Sequence, residues 1–187
     1  MHDIEPHFKW RDWYMAEEDT RSPFYGREYS EFEFSNTVYN YLIHPQWDEF
    51  GAKTLYLKIL FADYDEQYAI IELLGEWNDA IENDIQTLKR NILEPLMDEG
   101  IYKFILIGEQ VLNFHNDIDD YYEEWYQELS DHNGWVVGIN FLPHVVRDFE
   151  QARIHQYILF DESDNWRTLK PEFIFKEFDQ RMQRLLG

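Results

Sequence analysis

From residue 54 onward, apolar and polar positions fall into clear periods. TLYLKILFAD alternates, with Leu55, Leu57, Ile59 and Phe61 on one face, which predicts a half-buried strand over 54–63. DYDEQ supplies turn chemistry, and YAIIELLG reads as the second strand of a hairpin ending at Gly75. Asp79 then offers an N-cap, with Glu82 three residues on as in a capping box. Ile81, Ile85, Leu88, Ile92 and Leu96 form the single apolar stripe of a helix. Pro95 is expected to kink its last turn and Gly100 to end it. YKFILIG is continuously apolar, as a strand buried on both faces should be. Strand, helix and strand together predict a right-handed crossover between parallel strands.

The period changes again near residue 117. Asp117 is placed to cap a helix with Asp120 in its first turn, and Ile118, Tyr121, Tyr122, Trp125 and Leu129 make its apolar face. Glu123, Glu124 and Glu128 fall mostly between those positions, and early acids suit a helix N-terminus. WVVGINF is another strand, Pro143 opens the helix HVVRDFEQARI, and QYILF is the last strand. Pro171 opens a final helix over 171–186 with Phe175, Phe178, Met182 and Leu185 in one stripe. The predicted fold is α/β: a mixed sheet of about five strands, an antiparallel hairpin followed by parallel βαβ units, with helices. An N-terminal arm and a C-terminal helix complete it. Residues 1–50 interleave aromatics and charges without a period, apart from a hint of a short strand at Tyr29, Phe32 and Phe34. We read them as an arm packed on the domain or on a partner, and 51–187 as one α/β domain.

The order β-β-α-β-α-β-α-β, over roughly residues 54–160, resembles that of STAS or SpoIIAA-like α/β domains. The resemblance implies a regulatory role. Members that are phosphorylated carry a serine in the loop after a central strand. Here that stretch reads GEQVLNFHND, without serine, so no phosphoryl switch is implied.

Composition narrows the functions. A hydrophobic fraction of 44% and an aromatic fraction of 18% suffice for a substantial core. No apolar run approaches the roughly eighteen residues of a membrane span, and MHDIEPHFKWRDWY has no signal-peptide pattern. Without cysteine there is no disulfide framework, and a cytoplasmic setting is the expectation. Thirty-eight acids oppose 16 bases for a net charge of −22, and no lysine or arginine lies between Lys103 and Arg147. Phosphate backbones and anionic lipid are bound through such cations, so neither nucleic acid nor membrane is an expected partner.

The residues bear on four chemistries. Counted as a calcium loop from Asp117, the first, third and twelfth positions are Asp117, Asp119 and Glu128. The fifth and sixth are Tyr121 and Tyr122, where a ligand and the turn glycine belong. There is no HExxH, no Gly-x-Ser-x-Gly elbow, no GxGxxG and no GK[ST], and no cofactor or metal ligand is assigned. The ends of parallel strands are where α/β sheets bind ligands, and there Glu76, Glu109, His115 and His144 are the candidate acid–base residues. The aromatic arm offers Trp10, Trp13, Tyr14, Phe24 and Tyr25 as interface candidates, since Trp and Tyr suit surfaces that are part apolar and part wet. The preferred expectation is a non-enzymatic cytoplasmic interaction or regulatory module, acting through a protein partner or self-association, with a homodimer as one form. The alternatives are a small-molecule-binding or hydrolytic enzyme at the strand ends, and divalent-cation binding on the acidic helix 117–131.

Overall fold

The computed structural model describes residues 4–187. A two-stranded antiparallel hairpin, β1 (Thr37–Val38) and β2 (Tyr41–Leu42), precedes the main sheet. The main sheet begins with β3 (Leu55–Asp63) and β4 (Tyr68–Asn78), paired antiparallel. Short helical pieces α1 (Asp79–Glu82), α2 (Asp84–Leu88) and α3 (Glu94–Asp98) lead to β5 (Lys103–His115). Helix α4 (Asp120–Ser130) leads to β6 (Trp135–Ile139), and α5 (Pro143–Gln151) to β7 (Leu159–Asp161). Helix α6 (Pro171–Leu186) ends the chain. The sheet has five strands in the order β3-β4-β5-β6-β7, with every pair after the first parallel. This is the mixed architecture expected from the hydrophobic pattern.

Spatial order follows sequence order, so right-handed crossovers lay their helices on one face of the sheet. On that face Leu57, Ile59, Ile71, Leu73 and Leu106 pack with Ile85, Leu88, Ile92, Trp125 and Phe149 from the helices. The alternate residues Leu60, Ile70, Ile105, Ile107 and Val137 face the other way. They are covered by Ile174, Phe175, Phe178 and Met182 of α6, by Trp166, and by Trp10 of the arm. Both faces are buried, which is why the strands read as near-continuous apolar runs.

Several local expectations are corrected. The β3–β4 register shifts between Ile59 and Phe61, and this bulge sends Phe61 to the α6 side rather than to the face of Leu57 and Ile59. Gly75 does not end β4; at φ 118° it carries the strand on to Asn78, and a Cβ there would stand 2.1 Å from the Thr54 carbonyl oxygen. Asn78, not Asp79, caps α1 by accepting from the Ile81 amide. The predicted single helix breaks at Asn83, which is left-handed with φ 52°, and Ile81 is left exposed. Before Pro95, which has no N–H to give to the preceding turn, residues Lys89–Leu93 are wound as a π-helix. Asp119, rather than Asp117, stands at the start of α4, and Ile118 is exposed. Residues 29–34 form no strand, β7 is shorter than predicted, and Leu185 faces solvent.

Candidate functional site

Strand β5 does not stop at Gly108, as the sequence suggested, but runs beside β4 until Asn78 lies against His115. That extension decides where each strand-end candidate sits. Glu76 and His115 come together, with His115 Nε2 2.9 Å from Glu76 Oε1. Tyr39, held at φ 54° in the β1–β2 turn, donates its hydroxyl to the other Glu76 oxygen. Burial pushes the Glu76 carboxyl up, but the hydrogen bonds from Tyr39 and His115 outweigh it and leave the group below its ordinary value. Glu76 is therefore charged at neutral pH, beside an imidazole that is about half exposed.

Glu109 lies elsewhere. Its Oε1 accepts from the Trp166 indole at 2.7 Å and from Asn140 at 3.0 Å, and its two oxygens take both Arg167 terminal nitrogens at 3.1 and 2.5 Å. This two-pronged contact, with the other donors, overrides burial and holds Glu109 below the usual carboxylate range. His144 is separate again, its Nε2 donating to the Leu112 carbonyl at 2.7 Å. The common rim expected for four residues thus resolves into three places. Of the four, only Glu76 and His115 stand within hydrogen-bonding distance of each other.

The arm is anchored in its own chain. Trp10 is 2% exposed, stands edge-on to Trp166 at 5.8 Å between ring centres, and donates its indole N–H to the Leu169 carbonyl at 3.0 Å. Phe24 is buried in the core on the opposite face. Tyr14 is half-buried and bonds Asp19 at 2.8 Å. Trp13 and Tyr25, by contrast, are 54% and 60% exposed.

Covering the sheet with this arm buries charge that the sequence did not mark. Lys58 occupies what looked like a solvated position of β3, yet is 5% exposed, 3.8 Å from Asp48 and 3.7 Å from Glu17. Asp48, wholly buried, also accepts from Tyr29 at 2.5 Å and Arg27 at 3.0 Å. Glu72, on β4, is 2% exposed and takes the His7 amide at 2.9 Å; burial pushes its carboxyl up to about 7. Burial likewise pushes Asp79 and Asp84 up to about 6. Asp79 is bonded by Tyr122, Trp77 and the Ile85 amide. A charged residue at every such position of a β-strand or helix start reads as solvent-facing until the covering segment is known.

On the acidic helix, Asp119 accepts from Tyr157 at 3.2 Å, Glu128 is paired with the buried Lys89 at 3.1 Å, and Asp117 is exposed. Among the described residues, no three His, Asp or Glu side chains are placed to hold a metal ion.

No family model matches the chain, and no curated protein matches it. Among solved structures it is similar to the anti-sigma factor antagonist SpoIIAA in its unphosphorylated form, at 13% identity and a TM-score of 0.47, over 66% of this chain and 96% of that one. It is also similar to a putative anti-sigma factor antagonist of Thermotoga maritima, at 15% identity and a TM-score of 0.44, over 65% and 91%. A third is the Bacillus cell fate determinant SpoIIAA in its phosphorylated form, at 12% and 0.42, over 65% and 98%. No residue role or partner passes from these structures to this chain.

Proposed function

We propose that the protein is a non-enzymatic regulatory module of the cytoplasm that works through protein–protein contact. The observation that carries this reading is the division of labour in the arm. Trp10 and Phe24 fix it to the domain, while Trp13 and Tyr25, three residues and one residue beyond those anchors, stay on the surface. Tryptophan and tyrosine displayed on a fixed support suit an interface, where an apolar body and a polar tip both find use. The cytoplasmic setting is supported by a chain without cysteine, and no described helix is long and apolar enough to cross a membrane. Tagged wild type and Trp13→Ala, recovered from the host cell, test the reading. A stoichiometric protein, either another chain or a second copy, is expected with wild type and Ile118→Ala but not with Trp13→Ala. Equal recovery from all three overturns it.

The Glu76–His115 contact at 2.9 Å favours one second reading, acid–base chemistry at the strand ends. It requires that Glu76→Gln abolish a turnover that wild type performs.

A further inference from the structure

Beside Trp13 lies a groove between the β3–β4 turn and α6. It consists of two cavities, of about 240 and 440 Å³, that share Asp63, Tyr68 and Glu172. Trp13, Phe61, Tyr68 and Phe175 give it aromatic walls, with the Tyr68 and Phe175 rings stacked at 4.0 Å. Carboxylates stand at its rim: Asp63, Glu66, Glu172 and Asp179, against two lysines, Lys170 and Lys176. Asp179 is already engaged by Lys103 at 3.0 Å. The side chains of Glu66 and Glu172 make no hydrogen bond or ion pair among the described residues.

One further group points to a ligand. Tyr68 is 1% exposed, and its buried hydroxyl has no hydrogen-bond partner. An unmade bond of that kind is costly, and native structures rarely leave one. Burial, and then the negative charges of Asp63, Glu172 and Glu66, hold the phenol well above its ordinary value, so it keeps its proton. With no partner in reach, the phenol oxygen keeps a free lone pair, and a cationic side chain supplies a donor for it. Ring faces here already attract cations: Lys170 Nζ stands 5.5 Å from the Trp13 ring centre, and Lys103 Nζ 5.1 Å from that of Phe175.

We propose that this groove docks an arginine- or lysine-bearing segment of a protein partner, the cationic side chain lying on the exposed Trp13 ring beside Glu172 and directed toward the Tyr68 hydroxyl. The inference rests on the interaction reading above and names the chemistry of the partner. It also fits the charge of −22, which steers basic segments inward and disfavours a second copy of this chain.

The test is fluorescence anisotropy of a fluorescein-labelled peptide GSRGSRGSG, and of its counterpart with glutamine for arginine, titrated with the full chain in about 0.15 M salt. The arginine peptide is expected to bind and the glutamine peptide to bind at least about tenfold more weakly. Glu172→Gln is expected to weaken binding about fivefold, and Tyr68→Phe, which keeps the ring stack, about threefold. Glu123→Gln, the same loss of charge on α4 across the sheet, is expected to leave binding unchanged. Equal weakening by Glu123→Gln and Glu172→Gln overturns the proposal in favour of diffuse attraction to an acidic surface. No binding also overturns it; if Trp13→Ala still loses a co-purifying protein, only the basic chemistry falls and the interaction reading stands.

Discussion

Replacing Glu72 with glutamine should stabilise the protein at pH 8 and do little at pH 5. Glu72 lies on β4 and accepts a hydrogen bond from the His7 amide at 2.9 Å, and the His7 ring stands edge-on to Trp10 and Trp166. Burial is the largest influence on it and drives the carboxyl from 4.5 to about 7; the His7 bond and Arg167 oppose that rise, and Glu109 adds to it. His7 gives no compensating charge, because burial, with Arg167 and Lys9, pushes its imidazole down to about 4. The folded protein therefore holds a proton on Glu72 that the unfolded chain releases. Stability associated with this group is complete below about pH 4.5 and is lost as pH rises to about 7. A rise of this size corresponds to about 3 kcal/mol. Glutamine keeps an oxygen for the His7 amide and carries no charge. Glu72→Gln should thus gain about 3 kcal/mol at pH 8 but under about 1 kcal/mol at pH 5. Urea unfolding of both proteins at both pH values measures the difference, and Asp79 and Asp84 titrate alike in each and cancel. The reasoning is refuted if the gain is the same at pH 5 and pH 8, or if the variant is the less stable protein at pH 8.

Other substitutions probe other parts of the account. Gly75→Ala combines a φ of 118° with a Cβ 2.1 Å from the Thr54 oxygen, and should cost about 2–4 kcal/mol by thermal melting; an unchanged Tm contradicts the continuous β4. Lys58→Met leaves Asp48 buried with Tyr29 and Arg27 alone, and should cost about 3–5 kcal/mol, part of which Asp48→Asn in the same chain recovers. Tyr122→Phe removes a donor from Asp79 and should cost about 1–3 kcal/mol, more above pH 6, where Asp79 is ionised, than below it. Trp10→Ala should release the arm while the sheet persists, seen as faster hydrogen exchange at the Tyr14 amide, which is bonded to the Trp10 carbonyl at 3.0 Å; equal exchange contradicts anchoring at Trp10.

The sheet was legible because its strands alternate or run apolar over whole segments, and the crossover rules then leave few arrangements. The helix after β4 was only half legible. Ile85, Leu88, Ile92 and Leu96 form its buried stripe, but Ile81 belongs to a separate turn because Asn83 adopts a left-handed conformation that many sequences with asparagine do not use. The strand ends were misjudged through glycine. Gly75 and Gly108 look like stops, yet each lets the chain pass a close neighbour: Thr54 for Gly75, and the Phe141 ring, 2.3 Å from where a Cβ would stand, for Gly108. With β5 carried past Gly108, Glu109 falls under Arg167 and away from Glu76. The groove by Trp13 had no local signature, since its walls come from the arm, the β3–β4 hairpin and α6.

The most direct test of the central claim, that this chain works by displaying Trp13 to a protein partner, is site-specific photo-crosslinking in the native cell. A photoreactive residue is placed at position 13, with position 123 on α4 as the control. On that claim a discrete protein adduct is expected from position 13 alone, with the attachment point in the partner beside an arginine or lysine. No adduct from position 13, or the same adducts from both positions, contradicts it.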